Sequence, residues 1–524
     1  MRTRVPLFVL ATLFAALFVQ VGFAQGFATD DPVVKNIWKE AVDSSHLEQL
    51  AHQLFDVVGP RLVGTPQMQK AHDWVTSTYE GWGIEGKTEA WGKWKGWERG
   101  ATHVDLLEPR VRTLEATMLA WSPPTKKGGV TAGLIILADC PDSLAFLRWL
   151  PSVKGKFVLV SQPQLTGRPD KDWEEFALKE EFDSLKARRT RLTDAWNLRV
   201  RHTGYKADTL PNILEQAGAA GVLSSRWSQG YGVDKVFGCS TKTTPVIDVM
   251  LEDYNLLYRL VENGDKPVIH AVAESRFLDP QPTMNSTGTI KGKEKGDEFV
   301  MLSAHLDSWD AGSGATDNGT GTIMMMEAMR VLKKCYPNPR RTILAGHWGS
   351  EEEGLNGSRA FVKDHPEIVA KLQALFNQDN GTGRVVSLGA QGLINAGDHL
   401  AHWLSRVPRP AMAEVKLDVP GMPFGGGTDN ASFITVGAPG FGLGSNAWNY
   451  FLYTWHTNRD TYDKIVFDEL KNNVVLVATL VYMASEDPEF VPRDRRVMPI
   501  DEKTGLPRPW PEPKEPERAG GGIR

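Results

Sequence analysis

The sequence holds only three cysteines, Cys140, Cys239 and Cys335, in 524 residues. None has metal-binding spacing, and three thiols cannot staple a disulfide scaffold. A single Cys140–Cys239 bridge and three unpaired, mostly buried thiols are the two readings left. No H-E-x-x-H occurs, which excludes the one-zinc design built on that helical motif. The glycine-rich run 312–321 precedes a helix but lacks the lysine of a phosphate loop. No long basic block is present, and 59 Lys and Arg stand against 64 Asp and Glu for a net charge of −5. That balance offers no footprint for nucleic acid. Beyond the first two dozen residues, no stretch is long and apolar enough to insert stably in a membrane. No internal repeat is present.

What is there fits a large globular chain: 41% hydrophobic and 23% charged residues, with length for about two to four domains. Residues 1–24 read as a signal peptide. Arg2 and Arg4 precede an apolar run, residues 6–21, and Gly22-Phe23-Ala24 forms a small-x-small cleavage site. The run is shorter than the roughly 20 residues of a spanning helix, which disfavours the rival reading of an uncleaved anchor. The mature chain would begin at Gln25 and be secreted or periplasmic.

Residues 25–125 carry helical apolar spacing and turn signals, then three clustered tryptophans, Trp91, Trp94 and Trp97, expected to pack. Residues 126–276 read as a smaller α/β module, with strands at 134–137, 157–160, 222–225 and 268–273. Within it, residues 170–200 show helical amphipathic spacing. Residues 277–487 alternate strand-like and helical runs, the pattern of an α/β fold with a mixed, mostly parallel sheet sandwiched by helices. Residues 488–524 form a Pro-rich tail expected to be disordered or draped on the surface.

The chemistry concentrates in the 277–487 block. His305 and Asp307 end an apolar strand two residues apart, so their side chains point the same way. One can bind a metal while the other orients it. Asp317 follows where the glycine-rich loop meets a helix, a place where a carboxylate can bridge two cations. A second apolar run delivers Glu351-Glu352-Glu353. Adjacent buried acids repel unless a cation joins them. Hydrolysis also needs two different carboxylates, one on metal and one free as general base. Asp379 ends the short strand 375–379, and His456 ends a strand-like run at 453–456. His347, inside the strand leading to Glu351, is expected to be structural.

This set resembles the co-catalytic zinc exopeptidases of the aminopeptidase and glutamate carboxypeptidase superfamily, and within it the plasma glutamate carboxypeptidase branch. The likeness spans most of the mature chain. It includes Val58 to Arg61, Gly64-Thr65, Trp97 to Gly100, and an insert resembling a protease-associated domain. Glu351-Glu352-Glu353-Gly354-Leu355-Asn356-Gly357-Ser358 matches the family's metal signature. The resemblance implies two Zn²⁺, with Co²⁺ or Mn²⁺ as substitutes. His305 and Asp379 would hold one, Glu352 and His456 the other, with Asp317 bridging. Glu351 would be the general base, Asp307 the acid behind His305, and the Asp317–Asn318 peptide cis.

Two departures stand out. Trp455 occupies a position where some relatives carry a tyrosine that steadies the reacting oxyanion, which leaves Tyr450 and Tyr453 as substitutes. In the stretch 425–430, Asn430 replaces a histidine. The implied activity is hydrolysis at the end of short peptides, as an aminopeptidase, carboxypeptidase or dipeptidase, with a homodimer implied by resemblance alone. A glutaminyl-cyclase-like acyltransferase with one zinc, and a non-catalytic receptor on the same scaffold, are the alternatives.

Overall fold

The computed structural model describes residues 30–520; the expected signal peptide lies outside them. Four strands, Gly440–Ser445, Leu372–Gln378, Lys295–His305 and Arg341–Trp348, lie side by side in that order and run parallel. Short apolar runs of this kind suit a sheet covered on both faces. Successive side chains sort accordingly. Val300, Leu302 and Ala304 pack into the core with the helices Thr320–Cys335 and Phe467–Glu486, whereas Met301 joins Trp348, Phe361 and Phe433 on the other face. Because the strands are parallel, their C-terminal ends share one edge, and His305, Trp348 and Gln378 all lie there.

The helix Thr320–Cys335 is buried from Thr320 to Leu332, as a helix apolar on nearly every side must be. Its two buried charges are neutralised locally. Arg330 donates to Glu327 at 2.8 Å and to Glu40 at 2.6 Å, and the His46 N–H donates to Glu327 at 2.9 Å. Leaving one of these ions unpaired would cost several kcal/mol.

The main departure from the sequence reading is a long antiparallel ribbon, Glu85–Glu108 against Val268–Ile290. The expected strand at 268–273 is only its first part, and the tryptophan cluster sits on its partner. Register shifts at Ala90/Gly92, Trp94/Gly96 and Arg99/Thr102 interrupt the two-residue alternation by which a strand is recognised. Trp97 is fully buried and its indole N–H donates to the Ser122 carbonyl at 3.0 Å, while Trp94 lines a cleft.

Through this ribbon the sheet continues into a second region ordered Val130–Ile136, Phe157–Leu159, Gly221–Ser224, Val246–Val249 and Ala116–Met118. It has its own core around Phe157, Leu223 and Ile247, and residues 170–200 form two helices, Asp170–Phe176 and Lys179–His202. All three cysteines are unpaired. From residue 488 the chain lies along the surface, with the Trp510 indole donating to the Ile434 carbonyl, and ends by pairing Ala519 and Gly520 with Lys93 and Trp94. Among the described residues, no helix is long and apolar enough to cross a membrane.

Two buried acids in the smaller region set a pH dependence. Asp248 accepts from the Ser224 hydroxyl at 2.8 Å, and Asp234 accepts from the Ser225 hydroxyl at 2.7 Å and the Arg226 N–H at 3.0 Å. Burial pushes Asp248 from 3.8 up to about 7, and burial together with the Asp248 charge holds Asp234 well above the carboxylate range. A raised folded-state pKa favours the folded chain below the unfolded value, and that advantage is lost as pH rises through the folded value. Melting temperature should therefore fall between about pH 4 and pH 7. Asp248→Asn should flatten part of that slope in a thermal-unfolding series, and an unchanged slope would refute a raised Asp248.

Candidate metal centre

Six side chains converge at the shared strand edge. His305, Glu351 and Asp379 place ligand-capable atoms within 4.8 Å of one another, and so do Asp317, Glu352 and His456. His305 Nε2 lies 3.2 Å from Asp379 Oδ1, and His456 Nε2 lies 2.9 Å from Glu352 Oε2. Asp317 faces both groups: Oδ1 is 3.5 Å from His305 Nε2 and Oδ2 is 3.3 Å from His456 Nε2. The Asp317–Asn318 peptide is cis.

Local structure explains each placement. His305 is the last residue of its strand, in register with Trp348, after which the chain turns through residues 349–353. Ser303 pairs with Asn377 on the other side, which brings Asp379 to the same height. The glycine-rich loop is packed too tightly for side chains. A Cβ on Gly314, at φ +59°, would meet the Ser308 hydroxyl at 2.4 Å, and one on Gly321 would meet Asn318 Oδ1 at 2.3 Å.

Asp307 behaves differently from expectation in one respect. Its backbone carbonyl lies 3.0 Å from His305 Nδ1, whereas its carboxylate is 3.6 Å away. The carboxylate instead accepts one N–H each from Glu351 and Glu352, both at 3.1 Å. Asp307 thus orients His305 through its backbone and clamps the two glutamates through its side chain. His456 is also placed unexpectedly. The residues before it form a short helix, Tyr450–Tyr453, and His456 sits in a turn at φ +59°. Aromatic and β-branched residues suggested a strand there; the turn is set by contacts with distant parts of the chain.

Three further residues were not singled out from sequence. Asp460, buried, accepts from the Thr316 N–H and hydroxyl, both at 2.8 Å, and from the Asp317 N–H at 2.9 Å. It ties the His456 turn to Asp317. Arg61, fully buried, donates to the carbonyls of Leu306 (2.6 Å), Gly59 (3.0 Å), Ser313 and Gly314 (both 2.8 Å). Asp429 is buried near His305 and Asp379, and burial pushes its carboxyl up to about 7. Arg61 and Asp429 lie in stretches already marked by resemblance and Asp460 does not; a role in holding a loop has no sequence signature.

Arg61→Met would strip donors from four carbonyls beneath the site, and a lysine cannot reproduce the fork. The expected loss is about 3–5 kcal/mol of stability, measured by urea unfolding.

Of the two candidate tyrosines, Tyr450 is buried with its hydroxyl against the Asp317 carboxyl, while Tyr453 packs over Gly230. Trp455 stacks on His456 with centroids 3.9 Å apart. His347, buried, pairs with the Tyr79 hydroxyl at 2.6 Å, away from the centre.

The electrostatics call for cations. Burial and neighbouring carboxylates push Glu351 and Glu352 well above the carboxylate range. Burial opposes charge on His305, but Asp379 and Glu351 raise its pKa above the usual imidazole range; His456, by contrast, is lowered to about 4 by burial. Asp317 Oδ2 and Glu352 Oε1 are buried with no hydrogen-bond partner, and His456 Nε2 faces both residues. Acids and imidazoles with open lone pairs facing one another fit divalent ions, and an all-N/O donor set without thiolate suits zinc, cobalt or manganese.

Comparison with known proteins agrees. Residues 285–481 match peptidase family M28. Mouse carboxypeptidase Q is 26% identical over 445 residues, covering 84% of this chain and 86% of the mouse protein. The human protein of that name is 25% identical, covering 84% and 85%. Among solved structures, a peptidase M28 precursor from Shewanella amazonensis superposes with TM-score 0.64 at 23% identity, over 88% of this chain and 98% of that one. BSAP, a zinc aminopeptidase from Bacillus subtilis, gives 0.53 at 21%, over 85% and 95%; these two likenesses speak for the fold. Taken together, the metal signature, the strand-edge site and these matches support a metallo-exopeptidase of the zinc exopeptidase superfamily, with residues 285–481 matching peptidase family M28.

Proposed function

We propose that this metallo-exopeptidase is a di-zinc enzyme that removes terminal residues from short peptides, exported by the segment 1–24. The observation that carries the reading is Asp317, whose two oxygens face the two separate histidine–carboxylate groups at 3.5 and 3.3 Å. His305 and Asp379 would hold one ion, Glu352 and His456 the other, with Asp317 shared. Zinc bound there supplies Lewis acidity, which acidifies water and polarises a carbonyl.

The protein's own groups do the rest. Glu351 can reach the first group, but Asp317 already completes that ligand set, so Glu351 is left as the base. It takes a proton from the attacking water and returns it to the departing amine. Asp307 holds the Glu351 and Glu352 backbones still while charge shifts. Tyr450, with its hydroxyl at Asp317, is the better placed of the two tyrosines to donate a hydrogen bond to the reacting oxygen. The region 126–276 serves as an inserted protease-associated-like domain that walls the cleft.

Zinc content by mass spectrometry and turnover of blocked and unblocked dipeptides test the reading together. Two ions per chain with cleavage of unblocked dipeptides is the expected result. One ion per chain, or cyclisation of N-terminal glutamine, would point to the acyltransferase instead.

A further inference from the structure

A cavity of about 840 Å³ opens from the candidate metal centre into the smaller region, lined by Glu352, His456, Trp309, Phe237, Arg226 and Lys235 among others. Its acidic end needs cations, as argued above. The lining also holds three basic side chains, Lys95, Arg226 and Lys235, none in an ion pair among the described residues; Asp317 acts on Lys235, and Asp248 on Arg226, only from beyond ion-pair distance. Lys235 and Arg226 each rest on an aromatic ring that itself packs on His456. The Lys235 ammonium lies 3.9 Å from the Trp455 centroid, and Trp455 stacks on His456 at 3.9 Å. The Arg226 guanidinium lies 4.9 Å from the Phe237 centroid, and Phe237 meets His456 edge-on at 5.1 Å.

Lys235 is the better fixed of the two. It is half-buried, whereas Arg226 is exposed. Its backbone N–H donates to the Arg226 carbonyl at 3.0 Å, and it bridges to Thr457. On either side, the Val236 N–H donates to the His456 carbonyl at 2.8 Å and the Asp234 N–H to Asn458 Oδ1 at 3.0 Å. The smaller region therefore delivers one ammonium at a set position beside a ligand of the candidate metal centre. A half-buried, unpaired ammonium is unfavourable unless something anionic enters. Pre-positioning means little entropy is lost when it does.

We propose that Lys235 binds the free C-terminal carboxylate of the substrate, making the enzyme selective for dipeptides; this rests on the peptidase reading. In a dipeptide that carboxylate lies one residue, about 3.5 Å, beyond the scissile carbonyl. The same ammonium repels a protonated amine, so the substrate's N-terminus points the other way, toward the acids. A longer peptide puts a neutral amide where the carboxylate belongs. Arg226, more exposed, adds long-range attraction.

The experiment compares Ala-Leu with its C-terminal amide, using the zinc-loaded full chain and Lys235→Met, Lys235→Arg and Lys235→Glu, with zinc content checked for each. The expected wild-type preference for the free acid is roughly 10- to 100-fold in kcat/KM, the scale of one charge-assisted hydrogen bond. Lys235→Met should lose that preference, Lys235→Arg keep most of it, and Lys235→Glu reverse it. Because the ratio is taken within one protein, a general loss of folding or metal would not move it. An acid-to-amide ratio equal in wild type and Lys235→Met overturns the proposal. If the zinc-loaded wild type cleaves neither compound, the peptidase reading falls and calorimetry decides the subsite. Ala-Leu binding about tenfold more tightly than its amide, and losing that margin in Lys235→Met, sustains it; equal affinities end it.

Discussion

Glu351→Gln should retain both metal ions and lose turnover by about 10²–10⁴-fold. Gln keeps the shape of the side chain and, through the Glu351 N–H, the bond to Asp307, so the clamp that orders Glu351 and Glu352 survives. What disappears is the ability to accept a proton from water and pass it to the amine. The competing assignment makes Glu351 a third ligand beside His305 and Asp379, since all three reach one point. That assignment predicts zinc loss from the first position. Metal content and kcat measured on one preparation separate the two. Near-normal turnover refutes the base, and loss of one ion refutes its freedom from metal.

The second large effect is expected from Asp317→Ala, which should weaken both metal positions at once, by roughly 100-fold or more. Replacing groups that merely support ligands typically weakens binding 10–100-fold, and Asp317 faces both histidines directly. Thermal stability gives an independent readout. An ion that binds only the folded chain stabilises it in proportion to the logarithm of its concentration over its dissociation constant. Chelation should lower the wild-type melting temperature by several degrees, and the variant should melt near the chelated value whether or not zinc is supplied. Loss of one ion with normal affinity for the other would show that Asp317 belongs to a single position and would break the shared-ligand geometry. Asp307→Asn makes a useful contrast. It loosens the Glu351–Glu352 clamp without removing a ligand, so it should slow turnover more than it releases metal.

Much of this centre could be read from residues in a row. His305 at the end of an apolar run, Asp317 at a glycine-rich turn, and Glu351-Glu352 after a second run are local patterns, and alternation along each strand already says which way its side chains point. Asp379 was legible for the same reason. His456 was legible only by likeness, because its turn has the composition of a strand and owes its shape to Asp234 and Val236, far away in the sequence. The ribbon Glu85–Glu108 with Val268–Ile290 was not legible, since bulges break its alternation and its partners are distant in sequence.

Which chemical groups meet the solvent edge of the sheet follows from local periodicity, a property each short segment carries alone. Which of them face one another does not. Asp317 between the two histidines, Asp307 closing on two glutamates, Arg61 beneath the loop and Lys235 beside Trp455 each join parts of the chain far apart in sequence. Such pairings arise when the sheets close and the cores fill, and nothing in the neighbourhood of either partner encodes the other.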